Sequence, residues 1–282
     1  MSMVQDENRS CQGCPSAGEC SGSSGDTCSG APSPMKKGIK RVIAVGSGKG
    51  GVGKSSVAAL LAVGLAKRGF SVGILDSDIT GPSIPQLFGL SGRLSAGPSG
   101  KILPLRSGAL GIAVVSMNLL LENPQDPVVW RGPLIGEVVQ QFWNDVMWDG
   151  LDWLVVDLPP GTADAPLTVM QTVALDGMLI VTTPQELSSL IVGKQARLAE
   201  MMKIPLVGMV ENMAVARCPH CGQEFPVFGP SHAEEIQKKF GIPTVVRIPI
   251  NSDLALLGDQ GAIETFDDVA LLRALVDSAC CD

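Results

Sequence analysis

The sequence predicts an α/β fold, a doubly wound and mostly parallel sheet with helices on both faces. Three observations carry this. Seven short apolar runs alternate with stretches of helical apolar spacing. The first run leads into a glycine-rich turn that opens a helix, and polar residues follow the runs, at the strand ends where such sheets bind ligands. The chain divides into a tail, residues 1–36, and one large folded domain, residues 37–282, with a CxxC insert near 214–230.

The tail is rich in Ser, Gly, Pro and Cys and nearly empty of large apolar side chains, so burial cannot offset the entropy of ordering it. It is expected to order only around a ligand. The first strand covers Arg41 to Val45, and the helix after it runs from Ser55 to Arg68 and ends at Gly69. Six more strands follow: Val72 to Leu75, Ile112 to Ser116, Trp153 to Val156, Met178 to Val181, Leu206 to Val210 and Val245 to Ile248. Buried on both faces, such strands read as continuous apolar runs, and the helices between them imply right-handed crossovers. Trp130, Trp143, Trp148 and Trp153 are expected to pack helix against sheet, and Met201, Met202, Met209 and Met213 to fill the core.

Between the first strand and its helix lies Gly48-Lys49-Gly50-Gly51-Val52-Gly53-Lys54-Ser55-Ser56, with the spacing GxxxxGK[ST]. Small residues let backbone N–H groups converge on phosphate oxygens at a helix N-terminus. Lys54 brings charge to the outer phosphates of ATP, and Ser55 offers a hydroxyl to Mg²⁺. Asp76-Ser77-Asp78 ends the second strand, and Asp78 is the candidate for ordering metal-bound water or the attacking water. Asp157 ends an apolar strand in the manner of a Walker-B acid on Mg²⁺, and Gly161 is expected to leave its N–H free for the γ-phosphate. Asn212, Pro249 and Asn251 are candidates for an adenine pocket. The plainer alternative for these Asp and Asn residues is service to turns and caps.

Composition removes other classes. A net charge of −7 without a basic block argues against nucleic acid, and the absence of tyrosine argues against stacking platforms for single strands. No run of about eighteen apolar residues and no basic-then-apolar leader occurs, so a cytoplasmic protein without a membrane span is expected. Eight cysteines in such a chain point to metal or cluster ligation rather than disulfides. Cys218-Pro219-His220-Cys221-Gly222 is a thiolate knuckle that supplies half a tetrahedral site. The simplest completion is the same pair from a two-fold related subunit, for a [4Fe–4S] cluster or for Zn²⁺. The residues alone leave iron and zinc open, with a structural zinc knuckle or idle thiols as the plainer alternative. His220 and His232 are not needed as ligands, and Cys280 and Cys281 are uncommitted.

Lys49 inside the loop makes the motif KGGVGKS, which resembles the deviant Walker-A class that includes MinD, ParA, the arsenite-pump ATPase and the nitrogenase iron protein. Within that class, Asp76-Ser77-Asp78 with Gly81-Pro82-Ser83, Trp130-Arg131-Gly132-Pro133, Asp157-Leu158-Pro159-Pro160-Gly161-Thr162 and Glu211-Asn212-Met213 before the knuckle resemble the Mrp branch, over about residues 38 to 275. Members of this branch are P-loop ATPases that carry iron–sulfur clusters. The resemblance implies a homodimer in which Lys49 reaches the partner's nucleotide, with Lys49, Lys54 and Asp78 catalytic, Asp78 in switch I, Asp157 as the Walker-B acid and Gly161 in switch II. It favours [4Fe–4S] at Cys218 and Cys221, slow ATP hydrolysis, and apo iron–sulfur clients with an upstream cluster donor as partners. Cys11, Cys14 and Cys20 resemble the last three ligands of a ferredoxin-like motif in scaffold members, whose first cysteine is missing here. Cys28 is the candidate fourth ligand, and a three-cysteine site is the alternative. Ala163, Ala214 and Asn251 depart from the branch pattern, which weakens the adenine assignment at Asn251. A MinD- or ParA-like positioning ATPase and an ATP-dependent electron donor are the alternative functions.

Overall fold

The computed structural model describes residues 38–280 except 79, 80, 82, 98, 99, 121–131, 186 and 187. The tail cysteines Cys11, Cys14, Cys20 and Cys28, together with Trp130, Arg131 and Cys281, lie outside the described residues. From the N-terminal side the elements are β1 (Arg41–Gly46), α1 (Lys54–Lys67), β2 (Val72–Asp76), α2 (Ile84–Leu87), β3 (Ser95–Ala96), β4 (Ile102–Leu103), β5 (Leu105–Arg106) and β6 (Ala113–Ser116). Then come α3 (Gly132–Asp145), β7 (Trp153–Asp157), α4 (Asp164–Thr172), β8 (Gly177–Thr182), α5 (Ser188–Met201) and β9 (Leu206–Asn212). The last are β10 (Ala216–Arg217), β11 (Glu224–Phe225), α6 (Ala233–Phe240), β12 (Val245–Ile248), α7 (Ser252–Asp259) and α8 (Val269–Ala279).

Eight strands form the main sheet in the order β12-β9-β8-β1-β7-β2-β6-β5. All pairings are parallel except that of β5 with β6, so the expected mostly parallel, doubly wound sheet is present. The seven expected strands are its seven parallel members. Side chains alternate between faces. Ile43 and Val45 of β1 enter the core beneath α1 and α8, whereas Val42 and Ala44 join Val139, Phe142, Val169, Val192 and Ile236 of α3 to α6. Because α1 lies between sheet and α8, Val57 to Leu65 are buried all round rather than along one stripe. Each fully buried leucine there contributes about 1.5–3 kcal/mol of hydrophobic stabilisation.

The central strands end together at one edge, and β1, β2, β7 and β9 deliver Gly46, Asp76, Asp157 and Asn212 to it. Trp143, Trp148 and Trp153 are buried as expected, and the Trp148 indole donates to the Phe142 carbonyl at 3.0 Å. The expectation for the methionines is corrected in part. Met209 is in the core, but Met201, in the last turn of α5, is 78% exposed, and Met213 lines a surface cavity. No helix among the described residues is long and apolar enough to cross a membrane.

Candidate nucleotide site and thiolate knuckle

The loop from Ser47 to Gly53 joins β1 to α1. Gly53, directly before the helix, has φ +79, and a Cβ there would stand 2.2 Å from Asn212 Nδ2. A side chain at Gly48 would likewise meet Ile191 Cγ2 at 1.9 Å. Gly48 and Gly53 are therefore demanded by packing against neighbouring segments as well as by backbone approach to phosphate. The N–H groups of α1's first turn have no side-chain cap. They point where an anion is favoured.

Beneath the loop lies a buried charge cluster. Lys54, 6% exposed, places Nζ 2.7 Å from Asp157 Oδ1 and 3.5 Å from Asp78 Oδ2. Ser55 Oγ donates to the other Asp157 oxygen at 2.6 Å. Asp76 sits behind these groups, fully buried, and accepts from Ser116 Oγ at 3.0 Å and from the Asp78 N–H at 3.1 Å. Burial, reinforced by the Asp157 charge and opposed by Lys54, pushes the Asp76 carboxyl up to about 8. Burial also raises Asp157, with Lys54 opposing. The structure thus unites Lys54, Ser55, Asp78 and Asp157, which the sequence proposed separately. Asp76, Ser77 and Ser116 were not assigned, although Ser77 fastens β2 to β7 by donating Oγ and N–H to the Asp157 carbonyl at 2.6 and 3.0 Å.

Two expectations need correction in this state. The Gly161 N–H is not free, because it donates to the Ser47 carbonyl at 2.8 Å. The Asn251 side chain lines the cavity beside the loop, but its Oδ1 is occupied in capping α7, accepting from Asp253 N at 2.9 Å and Leu254 N at 3.0 Å. The ammonium of Lys49 donates to Gln185 Oε1. A further residue escaped the sequence reading. Gln195 of α5, fully buried, donates Nε2 to the Ser47 carbonyl at 3.0 Å and to the Gly161 carbonyl at 2.6 Å. The only signal was its place among Val192, Ala196 and Ala199, a polar residue at an apolar helix position.

The cavity next to the loop measures about 440 Å³. Gly53, Ser56, Asn212, Met213, Pro249 and Asn251 are among its lining, so the expected base-pocket residues meet at one place. Asn212 holds the loop itself: Nδ2 donates to the Val52 carbonyl at 2.9 Å, and Oδ1 accepts from the Met213 N–H at 3.0 Å. Met213 takes the left-handed φ of 57° that starts the chain's departure from the sheet.

The departing segment is the two-stranded hairpin β10–β11, with the knuckle at its tip. The Gly222 N–H donates to the Cys218 carbonyl, and the Cys218 N–H to the Gln223 carbonyl, both at 2.9 Å, closing the turn. Cys218 is half-buried and Cys221 exposed. The backbone N–H of Cys221, then that of His220, holds the Cys218 thiol below its ordinary value, which favours the metal-binding thiolate. Among the described residues no third His, Cys, Asp or Glu joins them in a metal site. His220 is exposed, and His232 is the N-cap residue that precedes α6. Cys280 follows α8 and packs against the core.

A glycine-rich loop between β1 and α1, two acidic strand ends beneath its lysine and a parallel sheet behind them define a P-loop nucleotide-binding NTPase. The family model of the ParA-type NUBPL iron-transfer P-loop NTPases matches residues 38–275, and the chain belongs to this family. The iron-sulfur cluster carrier protein of Clostridium perfringens is 44% identical over 269 residues, covering 91% of this chain and 94% of the relative. A nucleotide-binding protein from Archaeoglobus fulgidus, solved in complex with ADP and with Co, is 46% identical and superposes with a TM-score of 0.74, covering 81% of this chain and 89% of its own. MinD from Pyrococcus horikoshii, complexed with Mg-ADP, gives a TM-score of 0.61 over 85% of this chain and 94% of its own at 18% identity, a likeness of fold alone.

Proposed function

We propose that this chain is an ATP-dependent iron–sulfur cluster carrier. Two copies hold a [4Fe–4S] cluster as cargo on Cys218 and Cys221 of each, release it to apo-proteins, and cycle between states by slow ATP hydrolysis. One observation carries this reading: only the five residues 213–217 separate Asn212, which grips the phosphate loop, from Cys218 of the knuckle. The name borne by the Clostridium perfringens relative supports the cargo, and the ADP of the Archaeoglobus fulgidus relative supports the nucleotide. The knuckle hairpin is the insert near 214–230 of the ATPase domain 37–282, and Cys11, Cys14, Cys20 and Cys28 of the tail 1–36 form a second cluster site.

The chemistry begins with bonds that nucleotide must replace. Lys54 leaves Asp157 and Asp78 for the outer phosphates, and the Gly161 N–H leaves the Ser47 carbonyl for the γ-phosphate. Lys49 exchanges Gln185 for the nucleotide of the second copy. The backbone of Gly48, Gly50, Gly51, Val52, Gly53, Ser55 and Ser56 wraps the phosphates, while Asn212, Pro249 and Asn251 border the base. Ser55, Asp78 and Asp157 present only oxygen donors, with Ser55 Oγ and an Asp157 oxygen 2.6 Å apart, a set that suits a hard divalent cation. Mg²⁺ bound there supplies positive charge to the phosphate oxygens. Asp78 then orders the attacking water.

Anaerobic reconstitution with iron and sulfide tests the reading. Wild type is expected to take up one labile cluster per dimer at the knuckle, and the double variant Cys218→Ala, Cys221→Ala to lose that share. Equal iron and sulfide in both proteins would remove the bridging site, and stoichiometric zinc in the protein as isolated would make the knuckle a zinc site.

A further inference from the structure

The hairpin that carries the knuckle has two unlike faces, and its register says which one Cys218 takes. Ala216 pairs with Phe225 and Arg217 with Glu224. The ladder runs one step further, because the Cys218 N–H donates to the Gln223 carbonyl. Directly paired residues of an antiparallel ladder lie on the same face, and faces alternate along each strand. Cys218 therefore shares a face with Ala216 and Phe225. The opposite face carries the ion pair of Arg217 with Glu224, 2.8 Å long with both side chains at least half exposed.

Phe225 is 47% exposed, and Val227 and Phe228, just beyond it, are 45% and 39% exposed. Three large apolar side chains in four residues, each left two-fifths to one-half exposed and the first on the Cys218 face, are unlike the scattered apolar exposure of ordinary surface. The charged side is satisfied in water. The Cys218 side is not, and with Cys221 at the tip the hairpin offers two of the four sulfurs that a tetrahedral thiolate site needs.

We infer that Phe225, Val227 and Phe228 are the water-excluding wall of the Cys218/Cys221 site, covered by the same hairpin of a second copy when the two knuckles share their metal. This rests on the bridging site proposed above and adds the surface that closes it. The apolar shell around a metal–thiolate centre controls solvent access and hence lability. It accounts for apolar residues at a position that the isolated chain leaves wet. Ligand capture is assigned to the thiolates, and retention to the wall.

The test uses the full-length protein and two double variants, Phe225→Ser with Val227→Ser on the thiol side and Arg217→Ala with Glu224→Ala on the other. Sedimentation of the apo-protein titrated with Zn²⁺ reads dimer formation without any cluster. Chelator-driven bleaching of the anaerobically reconstituted protein reads retention. Wild type and the charged-face variant are expected to dimerise with one Zn²⁺ per two chains. The thiol-face variant should need at least tenfold more protein to dimerise and lose its cluster at least tenfold faster, with ADP affinity unchanged. Wild-type dimerisation and bleaching in the thiol-face variant would overturn the wall while leaving the bridging site standing. Unchanged dimerisation and retention with lost transfer to an acceptor would overturn it in favour of a client-docking surface. Failure of wild type to bind metal at the knuckle would overturn wall and bridging site together.

Discussion

The phosphate loop that Asn212 grips and the hairpin that extends from the end of β9 are built on opposite terms. At the sheet edge, Lys54, Asp78, Asp157 and Asp76 are buried and held in one cluster, with the one ammonium shared between Asp157 and Asp78, so the nucleotide end is preorganised. Six residues beyond Asn212, the knuckle has a two-stranded ladder, exposed apolar side chains and two free cysteines. The first region is complete until a ligand displaces its bonds. The second, on the reading proposed above, is completed by a partner. The proposed function joins a stiff element to an unfinished one by a short connection, and mutations should separate them by size of effect.

The largest effect belongs to Lys54. Lys54→Met leaves Asp78 and Asp157 without their shared cation, a loss of about 3–5 kcal/mol for a broken buried pair, and it should abolish ATP hydrolysis. Urea unfolding of the metal-free, nucleotide-free protein measures the first part. The pH dependence has a definite sign. A carboxyl raised in the folded state, as Asp76 is to about 8, binds more protons folded than unfolded, so stability falls as pH rises between about 4 and that value. Without Lys54 the slope steepens, and the variant should regain part of its loss between pH 7.5 and 5.5. A variant as stable as wild type at pH 7.5 would mean that the edge is not held by this cluster.

Next is the link. Asn212→Ala removes the donor to Val52 and the acceptor of the Met213 N–H, in a nearly buried setting where an unmet partner costs about 1–3 kcal/mol. ADP affinity, read by calorimetry, should fall about tenfold, or about 1.4 kcal/mol. An unchanged affinity would uncouple the hairpin's root from the loop.

These two variants also mark how far the sequence could be read. The seven parallel strands were legible because burial on both faces makes each a continuous apolar run, and Gly48 to Ser56 because phosphate binding restricts residue types at fixed spacing. The strands β3, β4, β5, β10 and β11 were not, since two residues carry no period. The occupied N–H of Gly161 and the cap at Asn251 belong to partners remote in sequence or to a local choice between equivalent roles. Gln195 was invisible because a single polar residue on a buried helix face gains meaning only from the Ser47 and Gly161 carbonyls opposite it.

At the unfinished end the effect on folding should be small. Cys218→Ser with Cys221→Ser changes one half-buried and one exposed thiol of the hairpin and should change unfolding free energy by no more than about 0.5 kcal/mol, against the several expected for Lys54→Met. The Cys218 thiol has its own signature. Held low first by the Cys221 N–H and then by that of His220, it stays thiolate to lower pH, so alkylation of the metal-free protein followed by mass mapping should show its half-rate pH below that of an ordinary thiol such as a cysteine in an unstructured peptide. An ordinary profile would mean that the turn does not hold the sulfur against those N–H groups.

The smallest effect sharpens the comparison with a pair of identical length. Lys40 Nζ stands 2.7 Å from Asp152 Oδ1 at the opposite edge of the sheet, the same distance as Lys54 from Asp157, but Lys40 is 79% exposed where Lys54 is 6%. Its hydrogen bond to Asp152, with that from the Ser71 N–H, holds the carboxyl below its ordinary value. The sign is therefore the reverse of Asp76. The contribution is present above about pH 4, the unfolded value, and is lost as pH falls through the lower folded one. Asp152→Asn keeps an acceptor for Ser71 and deletes the charge, so variant and wild type should differ slightly at pH 7, converge in acid, and converge again in 1 M salt, where exposed charges are screened. A loss at Asp152 as large as that at Lys54 would show that distance, and not burial, sets what a lysine–aspartate pair is worth in this fold.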